Sequence, residues 1–318
     1  MKAFVNCLSR NYGLVLYLFA FFVLLYTGCN YNQMQSVTTT GHLTIDVDEN
    51  EQPLLKKEVD EFTRLNKDSH IDVKIKTSNE VIADLINGDV KTVVVDRDFT
   101  PQESDILTKY KIDVKKHKFA LNGIAVIVNP ANPVIKLNFN ELKKIFNGDI
   151  TDWKDLDGDN KGVYKAGLKV FIARPNSAIH NIFKEEALAN REYSKSALVC
   201  STSTQMLDEI KTSKAAIGFI SMSWITRFAD TLDTIVKPLK IAAVDSVGRV
   251  SDYIGLHQAY IANNTYPLLM SAYVISRDFD MDLSVGFISF LLAYDGQKIV
   301  LNSGLVPVTQ PVRIIQLN

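Results

Sequence analysis

Residues 119–153 constrain the fold more than any other part of this 318-residue chain, because an apolar strand, two prolines and an amphipathic helix follow one another there. Residues 123–128 (GIAVIV) have the length and composition of one buried strand. Pro130 and Pro133 follow, and proline has no backbone N–H to donate to a neighbouring strand. The strand is therefore expected to stop here, and the chain to turn before the next element.

An amphipathic helix is predicted over residues 138–146, directly after the two prolines. Its apolar side chains recur on one helical face, namely Phe139, Leu142, Ile145 and Phe146. Asn138 or Asn140 can cap the first turn, and Gly148 stands where a helix commonly ends. A buried strand followed by a helix with one apolar face is the repeating unit of α/β proteins.

The chain before this unit alternates between strand and helix patterns. Strands are predicted at residues 42–48, 71–75 and 92–95, and helices begin near Pro53, Ser78 or Asn79, and Pro101. This alternation predicts a parallel sheet with helices on both faces, and such sheets bind ligands at the carboxyl ends of their strands. The candidate binding loops are therefore residues 48–50, with Asp48, Glu49 and Asn50, and residues 96–97, with Asp96 and Arg97.

The first 29 residues have the pattern of a bacterial export signal. Lys2 and Arg10 supply positive charge, and residues 14–25 form an apolar run that is too short to span a bilayer comfortably. Cys29 follows in a context that resembles a lipobox and is predicted to carry a lipid; a retained N-terminal anchor helix is the alternative. Residues 30–41 are polar and are predicted to be a tether. Under either interpretation, the body of the protein is exported and stays attached to a membrane.

The charged, cysteine and histidine residues of the chain argue against several functions. The chain has 35 Lys and Arg against 36 Asp and Glu, so the basic surface expected of a nucleic-acid-binding protein is absent. Beyond Cys29 the only cysteine is Cys200, so the exported body has no internal disulfide. No histidine lies in a known hydrolase or metalloprotease motif. We therefore expect a binding protein rather than an enzyme, with no metal ion and no cofactor.

The stretch from residue 122 to residue 153 resembles one in phosphate-binding-type solute receptors. In that family it reads roughly D-G-I-A-V-I-V-N, then N-P, then E-L-x-x-I-F-x-G-x-I-T-x-W. This chain departs at the first position, where Asn122 replaces the usual Asp. Residues 215–221 (AAIGFIS), 266–276 and 304–307 (GLVP) match further family segments in the same order. The resemblance runs from about residue 41 to residue 309.

A second segment resembles the family's anion site, R-x-x-x-S-G-T, at the start of a helix. Here Arg174, Asn176 and Ser177 follow a predicted strand, with one residue fewer between Arg174 and Ser177 than in the family, and Ala178 and Ile179 replace the family's Gly and Thr. The arrangement suits an anion, because a helix N-terminus offers free amides and a positive dipole, and arginine adds a charged contact. A surface salt bridge is the alternative role for Arg174.

The resemblance implies a type II periplasmic-binding-protein fold, with two α/β lobes joined by crossovers near residues 120–124 and 266–272. Lobe 1 would comprise residues 42–122 plus 268–318, and lobe 2 residues 123–267. The ligand would lie in the cleft between them. The residues expected to bind it are Asp48, Glu49, Asp96, Arg97, Asn122, Arg174, Asn176 and Ser177.

The same resemblance implies an extracytoplasmic, lipid-anchored monomer that captures an oxyanion, phosphate first, and delivers it to an ABC permease. Asp48 and Glu49 depart from the Gly, Ser and Thr residues usual in the family's first loop. A carboxylate there can accept a proton from phosphate but only repels sulfate, so we expect a protonated oxyanion, phosphate or a phosphate ester, to be preferred. A lipid-anchored sensor or surface-binding protein, using the same cleft for a different and larger ligand, is the alternative.

Overall fold

The computed structural model describes residues 38–226, 232–277 and 280–309. The predicted export segment, the predicted lipidation site Cys29 and most of the predicted tether lie outside the described residues. Inside these ranges no single helix is long and apolar enough to cross a membrane. One pair of helices, Leu283–Leu292 and Tyr294–Asn302, meets that length and composition only together, with a 57° bend between them.

Twelve strands are present in the described ranges. They are β1 Gly41–Asp48, β2 Ser69–Lys76, β3 Thr92–Val95, β4 Lys115–Val128, β5 Lys136–Asn138, β6 Lys169–Ala173, β7 Leu198–Cys200, β8 Ala216–Ser221, β9 Lys237–Pro238, β10 Lys240–Ala242, β11 Leu269–Ser276 and β12 Val306–Pro307. The main sheet has the order β2-β1-β3-β11-β4-β8-β6-β7, with β9 and β12 also paired to β4. Strands β5 and β10 form a separate two-stranded sheet.

The long strand β4 joins two halves of this sheet. Strand β11 pairs antiparallel with β4 up to Gly123, and β8 pairs antiparallel with β4 from Ile124 onward. We call β1, β2, β3, β11 and the first part of β4, with their helices, the first half, and the rest the second half. Strands β1, β2 and β3 are mutually parallel, as are β6, β7 and β8. The carboxyl ends of both parallel sets therefore become available for a site between the halves.

Helices flank the sheet. They are α1 Gln52–Leu65, α2 Ser78–Asn87, α3 Pro101–Lys109, α4 Phe139–Phe146, α5 Ala178–Leu188, α6 Ser203–Thr212, α7 Met222–Thr226, α8 Leu232–Ile235, α9 Gln258–Ala262, α10 Leu283–Leu292 and α11 Tyr294–Asn302. Short 3-10 helices occur at Glu49–Glu51, Trp153–Asp155 and Gly158–Asn160. The alternating order and the parallel strands confirm the predicted α/β class.

Capping explains where several helices begin. Of the two candidates for α4, Asn138 is the cap, because its side chain accepts from the backbone N–H groups of Asn140 and Glu141. Residues 199–204, rich in Ser and Thr, predict a cap for a helix over residues 205–212, and α6 begins two residues before that. Thr202 is the N-cap and accepts from the Gln205 amide, so the helix begins at Ser203. The shift matters because it puts the Ser203 amide at the free end of the helix.

The core of the second half is aromatic. Phe183 stacks on Phe219 with ring centroids 4.1 Å apart, and Phe146 packs edge-on against both rings. All three rings are almost fully buried, as is Trp153, which ends the predicted strand-turn-helix unit. This packing fixes α4 and α5 against β8 and thereby sets the position of the first turn of α5.

Candidate ligand-binding site

The two halves meet where their parallel strands end. A cavity of about 30 Å³ lies at this junction. Its walls come from both halves: Asp48, Glu49, Asn50 and Thr77 from the first, and Ala173, Arg174, Ser177, Ile179, Cys200, Ser201, Thr202, Ser203, Met206, Phe219 and Ile220 from the second. The cleft predicted from the sequence therefore exists, and strand ends and helix N-termini line it as expected for an α/β binding site.

Asp48 ends β1 and is almost fully buried. Its carboxylate accepts from the backbone N–H of Asn50 at 3.0 Å, from the Asn50 side chain at 2.9 Å and from the hydroxyl of Ser78. Burial nevertheless raises the pKa of Asp48, since removing a charge from water outweighs what these donors return. Asp48 thus occupies a donor-rich position at the end of the first strand.

Ser78 is the connection between Asp48 and the opposite wall. Its hydroxyl donates to Asp48 and accepts from the backbone N–H of Ala178, the first residue of α5, at 2.6 Å. Next to this contact, the Asn79 amide donates to the carbonyl of Asn176 at 3.3 Å. The N-termini of α2 and α5, one from each half, therefore face each other across the cleft.

Glu49 also reaches the opposite wall. Its carboxylate accepts from the backbone N–H of Ser203 at 2.9 Å and from the Ser203 hydroxyl at 2.8 Å. Its carbonyl accepts from the indole N–H of Trp224 at 3.2 Å. Burial raises the pKa of Glu49, while the two Ser203 donors act in the opposite direction. A side chain of the first half thus binds the N-terminus of a helix in the second.

Asp96 follows β3 and is 1% exposed. Neither of its carboxylate oxygens accepts a hydrogen bond within the described part of the chain. Its pKa lies well above the usual value for an aspartate, first because of burial and then because Asp48 and Glu51 are acidic neighbours, while the nearby Asn50 side chain acts in the opposite direction. Of the predicted acidic residues, Asp96 is thus the one whose carboxylate oxygens accept no hydrogen bond from a described residue.

Asn122 lies on β4, close to where its pairing changes from β11 to β8. Its side-chain amide donates to Glu51 at 2.9 Å and to the Ser221 hydroxyl at 2.8 Å, and its oxygen accepts from the Gly123 amide at 2.7 Å. Burial raises the pKa of Glu51 to about 7 against the opposing effect of Asn122. Of these bonds, the one to Ser221 joins the two halves, whereas those with Glu51 and Gly123 stay within the first half.

The two predicted arginines differ in their surroundings. Arg97 forms a bidentate ion pair with Glu103, with both N–O distances at 2.8 Å, and donates to the Asn79 side chain at 3.0 Å. Arg174 is half-buried at the cavity wall. Its guanidinium makes no hydrogen bond or ion pair with any residue the structure describes. Arg174 is thus the cation available to a ligand, whereas the guanidinium of Arg97 is held by Glu103.

Ser177 and Asn176 precede α5. The Ser177 hydroxyl donates back to the Arg174 carbonyl at 2.7 Å, which tightens the turn between β6 and α5. Asn176 is exposed and contributes its carbonyl to the Asn79 contact. In this arrangement Ser177 lines the cavity and fixes the loop that presents Arg174.

Two further side chains near the cavity, those of His180 and Cys200, are buried. His180 Nδ1 lies 2.8 Å from the Ala173 carbonyl, and burial lowers the pKa of this imidazole. Cys200 is buried, and burial raises the pKa of its thiol to about 11, which suppresses the nucleophilic thiolate. Among the described residues, no three His, Cys, Asp or Glu side chains are grouped to hold a metal ion.

Comparison with known proteins places the chain in a family. The profile of the PBP superfamily domain matches residues 32–294. This chain belongs to the PBP superfamily. A relative within the superfamily is the phosphate-binding protein PstS of Bacillus subtilis (strain 168). It is 28% identical over 272 residues, which cover 85% of this chain and 82% of the relative.

Solved structures agree on the fold of this superfamily member. A phosphate ABC-transporter substrate-binding protein from Clostridium perfringens, with bound phosphate, superposes with a TM-score of 0.71 at 22% identity, covering 85% of this chain and all of that one. An ABC-type phosphate transport receptor from Vibrio cholerae gives 0.63 at 21% identity, covering 84% of this chain and all of that one. The fold is therefore the type II periplasmic-binding-protein fold predicted from the sequence.

Sequence reasoning did not select three residues that organise this site: Ser78, Glu51 and Ser203. A signal existed for Ser78, because it begins the helix after the second strand and so lies at a carboxyl strand end. Glu51 and Ser203 gave no comparable signal, since their partners lie far away in the sequence.

Proposed function

We propose that this chain is an extracytoplasmic solute-binding protein that captures phosphate and delivers it to an ABC permease. The observation that carries the proposal is the half-buried Arg174, whose side chain has no partner in the described ranges and lines the cleft beside the N-terminus of α5. A cation and helix amides together form a site for an oxyanion. The relatives named above are phosphate-binding proteins, which favours phosphate among the oxyanions.

The proposed ligand site lies between Arg174 and Ser177 on one wall and Ser78, Asp48 and Asp96 on the other. Arg174 pairs with the anion, and Ser78 and the first amides of α5 supply hydrogen bonds. In this proposal the two lobes, residues 42–122 plus 268–318 and residues 123–267, close over the ligand by a hinge motion.

A carboxyl group in this site explains selectivity for phosphate. Phosphate near neutral pH carries a proton that it can share with a carboxyl group, whereas sulfate has none to share. Asp96 is the best candidate because it is buried without a partner, whereas Asp48 already accepts three hydrogen bonds. Sulfate would meet a repulsive charge whenever Asp96 is ionised, whereas protonated phosphate can donate to that carboxylate.

The remaining parts of the proposal concern location and assembly. A lipid on Cys29 would hold the protein at the bacterial cell envelope, and the cleft would act in a monomer. Catalysis is not part of the proposed function, because burial keeps the Cys200 thiol protonated and the His180 ring lies within hydrogen-bond distance of the Ala173 carbonyl.

Substitution of Arg174 tests the proposed site. Arg174→Ala should weaken phosphate binding by about 1.5–3 kcal/mol, the range for hydrogen bonds to charged groups. Isothermal titration calorimetry of the full-length protein in detergent would measure this loss. Arg191→Ala is the matched control, because Arg191 is exposed. Equal phosphate affinities for the Arg174 variant and the wild type would place the anion elsewhere.

A further inference from the structure

Glu49 holds a position that a ligand would otherwise be expected to take. It belongs to the first half, yet its carboxylate binds the amide and the hydroxyl of Ser203 at the N-terminus of α6. Free amides at a helix N-terminus attract anions, whatever molecule carries the negative charge. Here the negative charge belongs to the chain itself, and Ser203 lies 154 residues away from Glu49.

The segment that carries Glu49 is fixed from the opposite wall at two more points. Trp224 donates its indole N–H to the Glu49 carbonyl at 3.2 Å, and the Ser223 hydroxyl donates to the carbonyl of Asn50. The short helix Glu49–Glu51 therefore presents one side-chain contact and two backbone contacts to the second half. At this end of the cleft, groups of the first half thus bind groups of the second.

The contact also limits the space in the cleft. Glu49, Ser201, Thr202 and Ser203 all line the cavity, so the Glu49 side chain and the N-terminus of α6 form part of its wall. A ligand bound at Arg174 thus finds the neighbouring helix N-terminus occupied by a carboxylate. A second anionic group on the ligand would meet both the charge and the bulk of Glu49.

We propose that Glu49 is a latch and a specificity-determining residue: it closes the cleft by binding Ser203 and excludes ligands that carry a second anionic group. This inference rests on the proposed oxyanion site at Arg174 and defines its substrate class as a single small oxyanion. Inorganic phosphate satisfies the limit, whereas pyrophosphate, with two phosphoryl groups, exceeds it.

Substitution of Glu49 in the full-length protein, studied in detergent, separates the latch from the site. Glu49→Ala frees the Ser203 donors and removes the charge, so the ratio of pyrophosphate to phosphate affinity should rise by about tenfold or more. Glu49→Gln keeps the size but removes the charge, and should raise the ratio less. Glu186→Ala is the control, since Glu186 is an exposed acid on α5 away from the latch.

Small-angle X-ray scattering without added anion provides a second measurement. Loss of the latch should increase the radius of gyration of the Glu49→Ala protein relative to the wild type and to the Glu186→Ala control, because the halves are then free to open at the hinge. An unchanged radius together with an unchanged affinity ratio would overturn the latch. Failure of the wild type to bind phosphate would instead remove the proposed function, and the scattering comparison would still decide the latch.

Discussion

The two halves of the molecule bury different chemistry. The first half buries acids, including Asp46, Asp48, Glu51, Glu58 and Asp96. The second half buries the aromatic cluster of Phe146, Phe183 and Phe219 and presents hydroxyl groups and helix amides to the cleft. The aromatic half is stabilised by packing, whereas the acidic half has unfavourable groups that persist because the cleft uses them or because they stay protonated.

This difference shows how the two halves bind each other across the cleft. Acids of the first half meet donors of the second, as in the contacts of the Glu49 carboxylate with the amide and the hydroxyl of Ser203. The wall that faces an anion site is itself anionic. Any anion that binds must therefore share a proton with this wall or compete with it.

The largest expected effect is the loss of stability when the aromatic packing of the second half is broken. Phe183→Ala removes a fully buried ring that stacks on Phe219. The centroid of this ring lies 4.9 Å from that of Phe146. We expect the free energy of unfolding to fall by about 3–5 kcal/mol, from lost burial and the cavity left behind. Denaturation by urea measures the loss. Tyr110→Ala, at a side chain 64% exposed, is the control and should change stability by less than about 0.5 kcal/mol.

The next effect concerns a buried acid of the first half outside the cleft. Glu58 is fully buried on α1, and neither of its carboxylate oxygens has a hydrogen-bond partner among the described residues. Burial raises its pKa to about 9. The folded protein keeps this proton above the ordinary pKa of 4.5, whereas the unfolded chain loses it. Stability is therefore lost as the pH rises from about 4.5 toward 9.

Glu58→Gln removes this dependence. The stability of the variant relative to the wild type should increase by about 3 kcal/mol between about pH 4.5 and pH 7. Urea denaturation across this pH range measures the difference. Asp60→Asn, at an exposed acid on the same helix, serves as the control. A constant difference across the range would mean that Glu58 ionises normally in the folded protein.

The smallest of these expected effects concerns Asp96 and the preference for phosphate over sulfate in the cleft. Asp96→Asn removes a carboxyl group that we propose shares a proton with phosphate, so the preference for phosphate over sulfate should fall by at least about tenfold, or 1.4 kcal/mol. Competition between the two anions, followed by thermal shift, measures the ratio. An unchanged ratio would transfer the role of proton acceptor to Asp48.

The sequence predicted the elements better than their contacts. The strand predicted before Arg174 covers residues 169–173 (KVFIA), and β6 is Lys169–Ala173; helix α2 begins at Ser78, one of its two predicted starts. The helix over residues 138–146 likewise appears as Phe139–Phe146. These predictions succeeded because apolar periodicity, prolines and caps act on neighbouring residues, whose spacing is written in the sequence.

The contacts of the site could be predicted only in part. The sequence brought Asp48, Asp96 and Arg174 to strand ends, and the structure places Asp48 and Arg174 on the cavity wall where the two halves meet, with Asp96 near Asp48. It did not distinguish Arg97 from Arg174, although Arg97 is bound by Glu103 and Arg174 has no partner in the described ranges. Both are arginines that follow a strand, so a local pattern treats them alike.

By itself, the sequence determined the α/β class, the order of strands and helices, and which strand ends carry charge, because each depends on spacing along the chain. Only the tertiary structure decided that Ser78 joins Asp48 to α5, that Glu49 binds Ser203, and that Asp96 is buried without a partner. Those outcomes depend on how the two halves meet across β4. Groups more than a hundred residues apart become neighbours there, and burial then changes the energy of every charge they carry.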